Sequence, residues 1–406
     1  MTAAAPTSAP TPTQRAHLRA FVGVGVAFLL VMSFMTVPTP LYALYAERDH
    51  FGAFTTTLVF AAYGAGVLVG LVLTGHVSDH VGRRPVALAV VAVEVLCAVG
   101  FALWQDTPAL LALRFVTGLG VGALSATLTA HVAELWGVAR PDDDGRLGST
   151  VATTASLGGL ALGPFVAALL ALLPGPLVTP YLAYAVLMVA LALVIWRAPE
   201  TVPADARARS WRYRPQTVAV DPAIRGPFVG AALAALAGFA VMGFVTALTG
   251  RFLADVAGVT DVLAVGAVAT AVVSGSALSQ LATVRVSSAA RLRAGAVAVA
   301  LGCVTLAGSA ALSSLPLYVV GGFVATGGVG LVFAASVATV AALAAPERRG
   351  ETLAALFLAG YAGITIPVVG LGALLLVAST QTVQVVFALV AAVAVPAGIA
   401  VLLRRG

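Results

Sequence analysis

The chain has 406 residues, 60% of them hydrophobic and only 9% charged, with a mean hydropathy of +1.04. Soluble domains carry about 25% charged residues, so this composition excludes an ordinary soluble enzyme. The net charge is +6 and all 22 basic residues are Arg; without Lys there is no GxxxxGK[ST] phosphate loop, which excludes ATP-driven transport by this chain alone.

Residues 1–18, rich in Pro, Thr and Ala with Arg15 and His17, read as a disordered cytoplasmic tail, because no apolar core precedes a cleavage site as a signal peptide requires. Crossing ~30 Å of hydrocarbon takes about 20 helical residues. Twelve apolar stretches are long enough: 20–44, 54–75, 84–104, 108–134, 148–173, 178–197, 226–250, 261–283, 293–312, 315–344, 352–377 and 382–403. The expected class is therefore an all-α integral membrane protein, with an N-terminal six-helix bundle (19–197), a cytoplasmic linker (198–225) and a C-terminal six-helix bundle (226–406). Cys97 and Cys303 fall inside apolar runs with no CxxC partner and read as buried apolar residues rather than metal ligands. Lys and Asn are both absent, and both have A-rich codons, which points to a GC-rich bacterial genome.

The Arg positions orient the spans. With the N-terminus inside, nineteen Arg fall in cytoplasmic segments, only Arg48 and Arg251 fall outside, and Arg114 lies within span 4. This is a strong positive-inside signal and places both termini in the cytoplasm of a cell inner membrane. In the linker, Trp211 and Tyr213 suit a membrane-surface position. The halves also repeat. Residues 115–135 and 323–343 match at ten of twenty-one positions with a constant offset of 208, and the same offset pairs Arg83 with Arg291 and Arg140 with Arg348. Two six-helix bundles of like orientation follow, as in transporters built from parallel repeats.

The loop after span 2 reads Gly75-His-Val-Ser-Asp79-His-Val-Gly82-Arg83-Arg84. It resembles the signature G-x-x-x-D-x-x-G-R-[KR] of the major facilitator superfamily. In span 4, Arg114-Phe-Val-Thr-Gly118 is similar to the family's R-x-x-x-G segment, which is linked to proton transfer; Thr117 stands where Gln is common. In span 5, Gly159-Leu-Ala-Leu-Gly163-Pro164 resembles the G-x-x-x-G-P motif of proton-coupled exporters, without the Gly pair that usually follows the Pro. Glycines four apart let helices approach closely, and Pro164 is suited to bend the helix. The resemblance implies the major facilitator fold and a cavity lined by spans 1, 4, 7 and 10. It further implies that Asp79 lies by the start of span 11, after Arg348-Arg349-Gly350-Glu351, and that Arg83 reaches Glu134 or Asp142.

Ionisable groups within a bilayer are costly and usually functional. The C-terminal spans hold none in their interiors, whereas the N-terminal ones hold Glu94, Arg114, His131 and Glu134. Glu94 has two readings, a proton carrier or a static partner of Arg114. Their depths differ by roughly 6 Å at 1.5 Å per residue. Arg114 reads either as a cavity residue or as a brace, and His131 as an interface residue rather than a relay. The cavity candidates are Met32, Phe34, Met35 and Tyr42 in span 1, with Phe239, Met242 and Phe244 in span 7; each reads equally as helix packing. A sugar site needs amides and carboxylates to satisfy hydroxyls, and with no Asn in the chain sugar uptake is disfavoured. Met and Phe suit amphipathic molecules. The expected function is proton-coupled efflux of lipophilic or amphipathic small molecules by a monomer without cofactor, metal or nucleic acid. The alternative is a facilitator or symporter importing a small nutrient.

Overall fold

The computed structural model describes residues 11–208, 211–215, 220–345 and 348–405, with the side chains of 206, 208 and 401–405 excepted. Twelve helices in it are long and apolar enough to cross a membrane. Span 1 is Pro12–Phe34, continued after a break by Pro38–Asp49. Spans 2 to 6 are Ala53–Thr74, Arg83–Leu103, Thr107–Ala139, Arg146–Leu170 and Thr179–Arg197. Spans 7 to 12 are Arg225–Asp255, Val262–Ala282, Ser288–Ala311, Leu315–Leu343, Arg349–Leu374 and Thr380–Arg405. No strand occurs among the described residues. An even number of crossings puts both chain ends on one face, the terminus side; the other is the far side.

The expected tail differs from the structure. Helix starts at Pro12, because Thr11 accepts the Gln14 amide hydrogen while the Gln14 side chain accepts that of Thr11, a capping box with Pro at the first helical position. Residues 1–10 of that tail, Arg209 of the linker and the side chains of Arg404 and Arg405 lie outside the described residues.

The repeat read from sequence reappears in the packing. Gly120 of span 4 meets Glu94 and Val90 of span 3, as Gly328 of span 10 meets Gly295 and Val299 of span 9. Gly122 meets Val67 and Leu71 of span 2, as Gly330 meets Ser276 of span 8. Residues 208 apart thus do the same job in each bundle, letting span 4 or span 10 lie close against its neighbours. Each bundle has its own core, one around Phe28, Leu124 and Tyr181, the other around Phe252, Val299 and Val395.

The halves meet along span 5 with span 8 and span 2 with span 11, and the second piece of span 1 packs on spans 7 and 8. These contacts are close at mid-membrane, where a Cβ on Gly64 would overlap Thr365 Oγ1, and toward the far side. A Cβ on Gly266 would stand 2.4 Å from that of Ala168, and one on Gly372 would stand 1.8 Å from Thr57 Oγ1. Spans 4 and 10 pack chiefly within their own halves. The halves are therefore clamped at the far side.

Candidate functional site

The break in span 1 creates the first polar feature within the membrane. Pro38 and Pro40 carry no amide hydrogen, so the Phe34 and Thr36 carbonyls accept instead from Val37 and Thr39, three residues on, at 3.1 and 3.0 Å. With the Thr39 amide diverted, the Met35 carbonyl has no backbone donor. Arg114 Nη1 of span 4 donates to it at 2.7 Å. Arg114 is 1% exposed, and its guanidinium carbon lies 4.4 Å from the Tyr63 ring centre, within cation–π range. The Tyr42 hydroxyl lies beside this guanidinium and interacts with it.

Glu94 in span 3 is fully buried, and neither carboxyl oxygen has a partner among the described residues. Its Oε1 faces Gly120, so close that a Cβ there would overlap it. The expected apposition with Arg114 does not form an ion pair in this structure. Arg114 is drawn to the break in span 1, while Glu94 meets span 4 nearly two turns further along. His131 Nε2 donates to the Pro199 carbonyl at 3.0 Å, which favours the interface reading of that residue.

The signature loop forms a charged cluster on the terminus side. Gly82 has φ 114°, a conformation side chains disfavour, and it turns the short helix Val77–Val81 into span 3. Arg83 Nη2 and Nε fork onto the Glu134 carboxylate at 2.8 and 3.3 Å, and Nη1 donates to Ser78 and to Asp79. The expected reach of Arg83 to Glu134 is present, and the described partner of Asp79 is Arg83 itself. Arg84 Nη1 donates to the Trp196 carbonyl at 3.3 Å, and Gly75 caps span 2.

Sequence reasoning missed Glu200. Its carboxylate accepts the amide hydrogens of Arg83 and Arg84, each at 3.0 Å, and those of Thr201 and Val202. It thereby caps span 3 with an anion, where the helix dipole favours one. Burial acts to raise this carboxyl, but the amides of Val202, Arg83 and Arg84 outweigh it and hold it below the usual carboxylate range. The signal available was an acid immediately after span 6, facing a basic turn. The linker adds a ring stack. Trp211 lies parallel to His80 at 4.7 Å, Tyr213 stacks on His76 at 6.2 Å, and the Tyr213 hydroxyl donates to the Leu73 carbonyl. These two rings therefore dock on the signature loop rather than serving only as surface anchors. Burial, with His80 beside it, holds His76 below the usual imidazole value.

In span 5, Gly159 and Gly163 lie against the span 1 backbone; a Cβ on either would stand 2.2 or 2.0 Å from the Leu29 or Ser33 carbonyl oxygen. Pro164 has no amide hydrogen, which frees the Leu160 carbonyl; Thr36 donates to it at 3.0 Å. The next amide, Phe165, donates across the halves to Thr270 of span 8 at 3.1 Å. The G-x-x-x-G-P segment thus ties span 5 to span 1 on one face and to the opposite half on another.

The cavity candidates separate. Phe34 packs against Phe101 and Tyr184, and Phe244 stacks on Phe387 at 4.6 Å. Both point into their own bundles, so the cavity assignment of these two is corrected. Met32 is buried against Gly159, and Met35 contributes its carbonyl. Met242 is 9% exposed. Phe239 is half-buried and meets Phe333 of span 10 at 4.8 Å and Tyr361 of span 11 at 5.9 Å; Phe357 meets Phe333 at 5.4 Å. The last three rings were not anticipated, because Phe and Tyr in an apolar span carry no positional signal of their own.

Residues 24–368 match the family model of the Major Facilitator Superfamily. The chain is 27% identical over 128 residues to the arabinose-proton symporter of Bacillus subtilis, covering 30% of this chain and 28% of that one. It is 35% identical over 65 residues to the multidrug resistance protein MdtL of Escherichia coli, covering 16% and 17%. These alignments span less than a third of either relative. The fold matches the crystal structure of the human organic anion transporter MFSD10 with a TM-score of 0.72 at 19% identity, covering 97% of this chain and all of that one. Two six-helix repeats, the charged loop after span 2 and a family match over most of the sequence agree: the chain belongs to the Major Facilitator Superfamily of membrane transporters.

Proposed function

We propose that this transporter exports lipophilic or amphipathic small molecules in exchange for protons, by alternating access. The observation that supports this most is Glu94, a carboxyl group buried in the membrane interior with both oxygens unpartnered among the described residues. An ionised carboxylate without a partner is very costly in such a place, so this arrangement accommodates the protonated acid. The nearby cation is occupied elsewhere, on the Met35 carbonyl and the Tyr63 ring.

That carbonyl is free only because of the break in span 1, and the second piece of span 1 packs on spans 7 and 8 of the other half. With the far side still clamped, substrate entering from the terminus side disturbs the break and releases Arg114. Arg114 then turns toward Glu94, favours its ionised form and expels the proton to the terminus side. The halves then rock, open the far side, release the substrate there and let Glu94 take up its next proton. In this reading the terminus side, which carries the excess of Arg, faces the cytoplasm, and the far-side-clamped structure is the proton-loaded state that precedes substrate uptake from within. Asp79, Arg83, Glu134 and Glu200 hold the terminus-side loop as the halves move.

The name of one relative, a symporter, favours a second reading: import of a small nutrient. Counterflow of the neutral dye N-phenyl-1-naphthylamine in sealed proteoliposomes of known orientation separates the two. Export predicts dye extrusion from the terminus side, accelerated by acid on the far side. Accumulation on the terminus side with that gradient overturns the export reading.

A further inference from the structure

Phe239, Phe333, Phe357 and Tyr361 sit 8 to 14 residues from the terminus-side ends of spans 7, 10 and 11, about 12–21 Å deep at 1.5 Å per residue. All four rings are half-buried, with edge-to-face contacts between 4.8 and 5.9 Å. Such pairs leave ring faces available to a further aromatic partner. They form one wall on the C-terminal half, and Phe357 and Tyr361 also pack against the N-terminal core. The wall therefore stands where the halves meet, toward the side that is not clamped.

This place is poor in charge. The interiors of spans 7 to 12 contain no Asp, Glu, His or Arg. The deep charges of the other half are withdrawn, Glu94 at 0% and Arg114 at 1% exposure. A charged cargo at the wall would leave water with no counter-ion, at a cost of several kcal/mol. Neutral hydrogen-bonding groups are present. The Ser336 hydroxyl, one turn beyond Phe333 and fully buried, has no partner among the described residues, and the Ser125 hydroxyl lies beside Tyr361.

From this we infer that the wall of Phe239, Phe333, Phe357 and Tyr361 is a binding site for planar aromatic molecules that carry no net charge and one or two hydrogen-bonding groups. The inference rests on the export reading above for its consequence. Exchange of a neutral cargo for one proton moves one positive charge inward per turnover, so the membrane potential drives export as well as the pH gradient.

The test uses a matched pair of probes, neutral N-phenyl-1-naphthylamine and its sulfonate analogue 1-anilinonaphthalene-8-sulfonate, with cationic ethidium as a third. Binding to the full chain in nanodiscs is read by energy transfer from tryptophan, which registers protein-bound probe. The neutral probe is expected to bind at least tenfold more tightly than either ion. Phe333→Ala and Phe239→Ala should weaken it five- to tenfold, and the gentler Phe333→Leu by less, while Phe244→Leu, on a ring packed away from the wall, leaves it unchanged. Equal binding of the ions, or insensitivity to both wall substitutions in folded protein, overturns the inference. Currents on a solid-supported membrane then address coupling. Neutral-probe binding with no probe-dependent proton current leaves the binding site standing and refutes proton exchange instead.

Discussion

Gly266 of span 8 sets the closeness of the far-side clamp. Its missing Cβ would stand 2.4 Å from Ala168 Cβ and 2.6 Å from the Pro164 carbonyl oxygen. Ordinary carbon contacts lie at about 3.5–4.0 Å, and the obstacle is backbone as well as a methyl group, so Gly266→Ala must part spans 5 and 8 by roughly 1 Å. Overpacking of this kind costs about 1–3 kcal/mol. The cost falls on the clamped state alone, because parting of the far ends relieves it. The equilibrium should shift toward far-side opening by about 5- to 150-fold, since about 1.4 kcal/mol is tenfold. The neighbouring Phe165-to-Thr270 hydrogen bond, 3.1 Å long, should be lost with it. Spin labels replacing the exposed Leu172 and Thr260, in a background with Cys97 and Cys303 replaced by Ala, report the separation by pulsed electron resonance. A longer-distance population should grow in Gly266→Ala and stay unchanged in Gly370→Ala, where a Cβ meets nothing within 4 Å. An unaltered distance distribution in folded Gly266→Ala would refute the clamp.

Glu200→Ala should lower the thermal midpoint in detergent, since loss of a helix cap costs about 0.5–2 kcal/mol. Because the Glu200 carboxyl is held below its ordinary range, its contribution is present above the unfolded value and lost as pH falls through the lowered one; the wild-type midpoint should therefore approach that of the variant only in acid. Docking of the linker rings should weaken with acid too. His76 is held low when docked, so docking is favoured while it is neutral and lost as pH falls through that lowered value; a fluorine label on a cysteine replacing Arg214 should show a second environment growing below neutrality, and a pH-independent spectrum would contradict this. Single cysteines at Asp106 or Ser314 should react with an impermeant reagent from outside cells. Those at 203–205 should react only after the membrane is opened, and external labelling there would reverse the orientation.

The architecture was legible because membrane spans are written in composition and length, and the repeat in glycines that a close helix pair requires. Gly120 with Gly328, and Gly122 with Gly330, identified the related helices, and each contacts the corresponding neighbour. Arg83 and Glu134 were legible from the signature loop. What remained hidden depends on backbone accounting across distant residues. Pro38 and Pro40 announce a break in span 1, yet nothing local says that the Met35 carbonyl is the one left free or that Arg114 takes it. Depth arithmetic brought Glu94 and Arg114 to similar heights but not to the same face of span 4. Likewise, Phe244 points away from the face that carries Phe239, as Phe34 does into its own bundle, because of rotation about the helix axis. Uniformly apolar spans carry little amphipathic pattern to reveal that rotation.

Glu94→Gln keeps the shape of the buried side chain and removes its proton, and two activities of the same proteoliposomes measure the consequence. One is export of N-phenyl-1-naphthylamine driven by a proton gradient; the other is exchange of the dye across the membrane without a gradient. Loss of the first with retention of the second is the predicted result, because the variant stays in the neutral arrangement that the structure accommodates while the halves still rock. Equal retention of both would contradict Glu94 as the proton carrier and leave it a structural group between spans 3 and 4.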